Sequence, residues 1–495
     1  METATATRST KKRSTAAAVT AGKVSVWMDD PASALGLVER PVPVLSKGPL
    51  KFRIKGAAPK PGIYPKGTAQ FRYWAAAEPL RRGGDFWSQF GITKWQLGAT
   101  LPVSLDKGVD LNAYYDRSEL AFFHEKVGGT TYYSGESPDV VCHEMGHATL
   151  DAHRPELWDA PFIEAGAFHE SFGDMSAILS ALTLKEVRTQ VVASVSSCRS
   201  NDLSRCAEQL GEAIRQVAPD AAEKKALRDA YNSFKYVDPQ TLPDDAPATR
   251  LSAEVHSFSR VFTGAFYEIL CGMLNARAKK PKEGDLAAAA ADLAQLLVDA
   301  TGAAPVQPDY YAQVAAHMVD ADATRFAGRY RDVLTQTFVS RLLLPKAAVQ
   351  PLEGTKRAAA RAVAATMSAA KPETRTRKCV IPAQEFGLGD EKLIVVAPVE
   401  RNAFRSAAAG LAHRFEPSVE EAAYRFLKML FAHNRVDTES RQKRMPVTDE
   451  TPRERLRKTH VLTQTAEGLR LSRRLFHCGC AVPCRHGAAG LEWRE

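Results

Sequence analysis

Between residues 68 and 135, apolar and polar positions alternate around aromatics, as in Gln70-Phe71-Arg72-Tyr73-Trp74 and Ala121-Phe122-Phe123, and Gly128-Gly129 marks a turn. A period of two sends successive side chains to opposite faces, so this segment reads as an antiparallel sheet. From Ser137 the apolar spacing changes to three and four, which predicts helices near 138–153, 164–183, 202–217, 253–274, 284–301, 308–319 and 322–343. A sheet-rich lobe followed by a helical lobe implies an α+β architecture with a cleft at their junction. Residues 24–67 form a leader in which Pro41, Pro43, Pro49, Pro59, Pro61 and Pro65 punctuate short apolar runs such as Lys51-Phe52-Arg53-Ile54. The expected divisions are therefore a disordered basic tail (1–23), the leader (24–67), the sheet-rich lobe (68–153), the helical lobe (154–345) and an additional α/β carboxyl-terminal region (346–495). In that last region Ala358–Ala370 reads as a helix, Lys392–Ala397 as a strand and Val419–His433 as an amphipathic helix, with no assignable function.

Composition narrows the class. A chain of 495 residues with 45% apolar content has material for more than one core. No run of 18 apolar residues occurs, so no membrane span is expected. In Met1–Lys23 the apolar stretch Ala16–Val19 is too short for a signal-peptide core, which favours a cytoplasmic location and leaves export by a non-standard route open. The net charge of +9 divides into +4 on residues 1–23 and +5 on residues 435–495, so the body between them is neutral. Two basic ends around a neutral body argue against a specific nucleic-acid face. The eight cysteines form no framework, and reduced thiols are expected, although Cys198 and Cys206 could pair in an oxidising compartment. The tail from His477 to His486 puts Cys478, Cys480, Cys484 and two imidazoles in ten residues, which could hold a metal or simply be a flexible end.

The chemistry centres on Asp139-Val140-Val141-Cys142-His143-Glu144-Met145-Gly146-His147. On a helix, His143 and His147 share a face and can reach one ion, for which zinc is expected, while Glu144 can touch a water beside it as general base. The plain alternative is an amphipathic helix with two partly buried histidines. Glu170, 23 residues beyond His147 in Glu164-Ala165-Gly166-Ala167-Phe168-His169-Glu170, lies on the next expected helix and would complete a three-ligand set with one position open. Asp174, one turn later, can accept the second N–H of a ligand histidine.

These segments resemble the active-site helices of the thermolysin-like zinc metallopeptidases. Three more segments match in the same order: Asn112-Ala113-Tyr114-Tyr115 resembles the edge strand that takes the substrate backbone, Leu227-Arg228-Asp229 the segment with a substrate-clamping arginine, and Glu254–Tyr267 the helix carrying the transition-state histidine. The resemblance covers roughly residues 68–345. It implies a zincin-type catalytic unit with zinc on His143, His147 and Glu170, Glu144 as base and His256 stabilising the oxyanion. It also implies a peptide or protein substrate aligned by Asn112, Ala113 and Arg228, and an apolar pocket involving Val140 and Leu227 for the residue just after the cleaved bond.

Some features depart from that pattern. The loop between His147 and Glu170 is three residues longer than in the family and offers Trp158 and Phe162 where a tyrosine is usual, and His169 replaces an asparagine. Acidic clusters for structural calcium are not evident after Asp174, which argues against calcium dependence. No long propeptide is visible, so a peptidase of this kind needs another restraint, which the leader or the carboxyl-terminal region could provide. The expected activity is zinc endopeptidase. The alternative is a catalytically silent zinc-containing scaffold that binds peptides or a partner; oligomeric state is not legible.

Overall fold

The computed structural model describes residues 22–346, 373–401, 418–438 and 457–478. The leader folds as a hairpin of β1 (Lys23–Trp27) and β2 (Leu37–Pro41), and its next strand, β3 (Lys51–Ile54), enters a five-stranded sheet. That sheet has the order β16-β5-β6-β4-β3, with β4 at Thr100–Ser104, β5 at Ala113–Tyr115, β6 at Leu120–Phe122 and β16 at Phe476–His477. Pairings β3/β4 and β4/β6 are parallel and β5/β6 and β16/β5 antiparallel, so the sheet is mixed rather than antiparallel throughout. The Gly128-Gly129 turn is present between β7 (His124–Val127) and β8 (Thr130–Tyr133), both glycines having the positive φ that a two-residue hairpin turn requires.

One expectation for this lobe is wrong. Gln70–Trp74 lies in a helix, α1 (Ala69–Ser88), not in a strand. Thr68 caps it, its Oγ1 accepting from Phe71 N at 3.2 Å, and Phe71, Trp74, Ala75 and Leu80 are buried at helical spacing. The alternation across five residues was too short a window to distinguish the two periods, and burial on nearly all sides hid the stripe.

The helical lobe follows the expected pattern in part: the helix expected at 202–217 begins at Glu208, and the break expected at 320–321 falls within a helix that runs to Arg325. The lobe contains α2 (Pro138–His153), α3 (Ile163–Ala181), α4 (Lys185–Ser196), α5 (Glu208–Val217), α6 (Val255–Arg277), α7 (Glu283–Ala303), α8 (Tyr310–Arg325) and α9 (Arg331–Ser340), of which α4 was not foreseen. Helix α7 is long and apolar enough to cross a membrane, yet Leu286, Leu293 and Leu297 are fully buried within the fold. Helices α2 and α3 pack side by side through glycine: a Cβ on Gly146 would come within 2.9 Å of Gly173 Cα.

The carboxyl-terminal region forms a second sheet, β11-β12-β15-β14-β13, with β11 at Glu373–Pro382, β12 at Lys392–Arg401, β13 at Val436–Asp437, β14 at His460–Thr465 and β15 at Gly468–Arg473. The expected strand at 392–397 and helix at 419–433 are both present, the latter as α10 (Val419–Ala432). Ala358–Ala370 lies outside the described residues. After β15 the chain returns to the first sheet as β16, so among the described residues the protein is a mixed α+β fold in which β16 links its two five-stranded sheets.

Candidate metal centre

Ser137 starts α2 by accepting from Val140 N, and Pro138 occupies the first helical position, where a missing N–H costs nothing. Two turns along, His143, Glu144 and His147 are all buried, with the two imidazoles edge to face at 4.8 Å between centroids. From α3, Glu170 brings Oε2 to 3.3 Å from His143 Nε2 and Oε1 to 3.8 Å from His147 Nε2. One donor atom from each of the three lies within 4.8 Å of the others, so a single ion can bridge them.

Several polar atoms of this group are unsatisfied. His147 Nε2 and both Glu144 oxygens are buried without a hydrogen-bond partner, and Glu170 Oε2 lies between His143 Nε2 at 3.3 Å and His256 Nε2 at 3.1 Å. Leaving a buried polar atom unsatisfied costs roughly 1–3 kcal/mol, so several together in one place fit a site meant for a cation and its water. Burial pushes His147 down to about 3, which keeps its imidazole neutral as a ligand must be. Burial likewise pushes the Glu144 carboxyl up to about 8.

Asp174 stands behind His143 as expected, its Oδ1 3.0 Å from Nδ1. Burial acts against its charge, but Arg228 and His143 outweigh that and hold Asp174 at about 2. An ionised Asp174 accepts a hydrogen bond from Nδ1–H and leaves the Nε2 lone pair turned toward Glu170. Gly173 makes room for this ring: a Cβ there would lie 2.6 Å from His143 Nδ1.

Arg228, on β10 (Arg228–Asp229), grips Asp174 through two bonds, Nε to Oδ2 at 2.9 Å and Nη2 to Oδ1 at 2.7 Å. Its guanidinium therefore braces the carboxylate that meets His143. His256 sits at the start of α6, where Glu254 receives His256 N and Ser257 N as a cap and also meets His256 Nδ1 at 2.7 Å. This turns Nε2 toward the site, 3.1 Å from Glu170 Oε2. Val140 and Leu227 are buried.

The expected open edge at Asn112-Ala113 is not open. Asn112 and Ala113 are buried, and β16 pairs with β5 in the register Phe476↔Tyr115 and His477↔Tyr114. Trp158 and His169 both meet β16: Phe476 stacks on His169 at 4.1 Å and on His147 at 4.8 Å, and its edge faces Trp158 at 5.3 Å. Leu475 packs with Tyr114 and Phe123 beneath. An edge strand looks open whenever its partner lies hundreds of residues away, so local pattern could not reveal this pairing.

One contact and one cluster were missed: the tail was read as able to hold a metal, but not as meeting α2. Cys478 brings its thiol to His143 and Glu144, one ligand atom from each within 4.8 Å of the others; Cys480, Cys484 and His486 lie outside the described residues. A second buried cluster joins Asp29 of the leader to Asp139 and Glu208, with Asp30 alongside, held by Ser137 Oγ at 2.6 Å. This cluster can hold a cation, and it was hidden because half of it precedes the metal-site helix in the chain. Cys198 and Cys206 are not joined; the Cys198 thiol hydrogen-bonds to Cys271 instead. No protein-family model matches the chain, and no curated protein matches it either.

Proposed function

We propose that the protein is a zinc-dependent endopeptidase built on a zincin-type unit of the thermolysin-like kind. The observation that carries the reading is the convergence of His143, His147 and Glu170 from α2 and α3, with Glu144 beside them and all donor atoms buried. Two imidazoles and one carboxylate suit zinc and leave room for a fourth group. When bound, the ion would polarise a carbonyl and acidify water at that position.

The chain's own residues would do the rest. Glu144, directly after the first ligand, would take a proton from water and deliver it to the leaving amine; a carboxyl raised by burial is matched to that double role. His256, aimed by Glu254, would donate from Nε2 to the carbonyl oxygen as charge develops there. Asp174 and Arg228 would fix the His143 ring, and β5 would align an extended peptide by backbone hydrogen bonds once β16 has left its edge. The buried Val140 and Leu227 support a preference for a hydrophobic residue just after the cleaved bond.

Metal analysis combined with a peptide-library assay of wild type and Glu144→Gln tests this. Stoichiometric zinc in both proteins, with cleavage lost in the variant and on chelation, is expected. The closed edge of β5 favours one second reading, a zinc-containing scaffold without turnover, and zinc retained with no cleavage by any variant would establish it.

A further inference from the structure

The segment Phe476-His477-Cys478 lies as a bound peptide would lie. It runs antiparallel to β5, and Cys478 N donates to Ala113 O at 3.0 Å. The carbonyl oxygen of His477 receives His256 Nε2 at 2.7 Å, the same donor assigned above to a substrate carbonyl. The His477–Cys478 peptide bond is thereby held from both sides. The side chain that follows is a thiol, and it reaches the ligand atoms of His143 and Glu144.

The segment is also anchored. Arg435 Nη1 meets His477 Nε2 at 2.8 Å, and the Arg473 guanidinium covers Phe476 at 4.0 Å while its Nε donates to Trp158 O at 2.7 Å. These contacts come from the second sheet and its approaches, so the strand is positioned by a folded body.

We propose that this segment is an intramolecular latch, a pseudosubstrate strand whose Cys478 thiolate is the fourth ligand of the ion held by His143, His147 and Glu170. The latch rests on the metallopeptidase reading for what it restrains, though its ligand set does not depend on turnover. A thiolate is a strong zinc ligand and, placed at the remaining corner, excludes the water that hydrolysis needs. On ligation the thiol loses its proton to solvent, and no other bond changes. Being tethered, the strand competes with free peptide at high effective concentration. Substrate access then scales with the fraction of molecules whose strand has left.

The test uses the full chain loaded with cobalt(II) in place of zinc. A sulfur-to-cobalt charge-transfer band in the near ultraviolet is expected in wild type and in Cys142→Ala, whose thiol faces Pro79 O instead. The band should vanish in Cys478→Ser and weaken in Phe476→Ala, which removes the aromatic stack on His147 and His169 but no donor atom. In the zinc forms both variants should gain at least about tenfold in kcat/KM on a peptide library, because the competent fraction rises. Cobalt bound without the band, or a chain found by mass spectrometry to be cut between His477 and Cys478, overturns the latch. A band that obeys these substitutions with no variant cleaving any peptide keeps the thiolate ligand and removes the peptidase reading. Peptide cleavage with no band does the reverse, and failure to bind cobalt removes both.

Discussion

His143 Nδ1 and Asp174 Oδ1 stand 3.0 Å apart across the α2–α3 interface, and the same Asp174 is clamped by Arg228. The pair fixes which imidazole nitrogen faces the ion. Asp174→Asn should therefore lower metal affinity by about 10–100-fold, measured by competition with a chromophoric chelator. An unchanged affinity would mean that the ring is oriented by packing alone.

Gly173 bears on the same ring from the other side. Because a Cβ at this position would lie 2.6 Å from His143 Nδ1 and Cε1, Gly173→Ala must push the imidazole off its bearing. The expected result is loss of the bound ion together with an overpacking cost of roughly 1–3 kcal/mol in urea unfolding. Full zinc occupancy in this variant would count against the proposed ligand geometry.

His256 is assigned to the carbonyl oxygen and not to the metal. In the Cys478→Ser background, His256→Ala should reduce kcat by about 10²–10³ with zinc stoichiometry intact, as removal of one oxyanion donor typically does. Glu254→Gln should fall between the two proteins, since it removes the charge paired with His256 Nδ1 but keeps an amide to cap α6. A variant of His256 that loses zinc would reassign the residue.

The Asp29, Asp139 and Glu208 cluster makes a prediction about pH. Burial first raises all three, and repulsion from the neighbouring Asp30 adds to each, bringing Asp139 to about 7 and Glu208 to about 10 against unfolded values of about 4. The folded state then holds more protons than the unfolded chain above pH 4, so stability should fall as pH rises through that window. Asp139→Asn should flatten the slope between pH 5 and 9 in chelator-treated protein, read from urea midpoints. Calcium at pH 8 should stabilise wild type more than the variant; equal responses would show that no cation is held there.

How much of this was legible in sequence depends on distance along the chain. The three proposed ligands and Asp174 fall on the consecutive helices α2 and α3 and His256 on α6, each expected from apolar spacing of three and four, and the helix expected at 138–153 is the one observed. Residues 70–74 misled because five positions fit either period and the surrounding burial is nearly complete. The state of the β5 edge, the role of Cys478 and the carboxylate cluster were illegible for one reason. Each joins segments more than a hundred residues apart, such as Asp29 with Asp139 or Ala113 with Cys478, and nothing in local spacing encodes such a meeting.

The outermost strand of the first sheet also has a place in time. Phe476 is 361 positions after Tyr115, counted as 476 minus 115, so β5 leaves the ribosome long before its neighbour exists. At about 5–20 residues per second, a nascent chain would spend roughly 20–70 s with that edge bare. During this interval the half-made protein offers unsatisfied backbone to any extended segment nearby, and the window ends only when the last stretch is translated and docks.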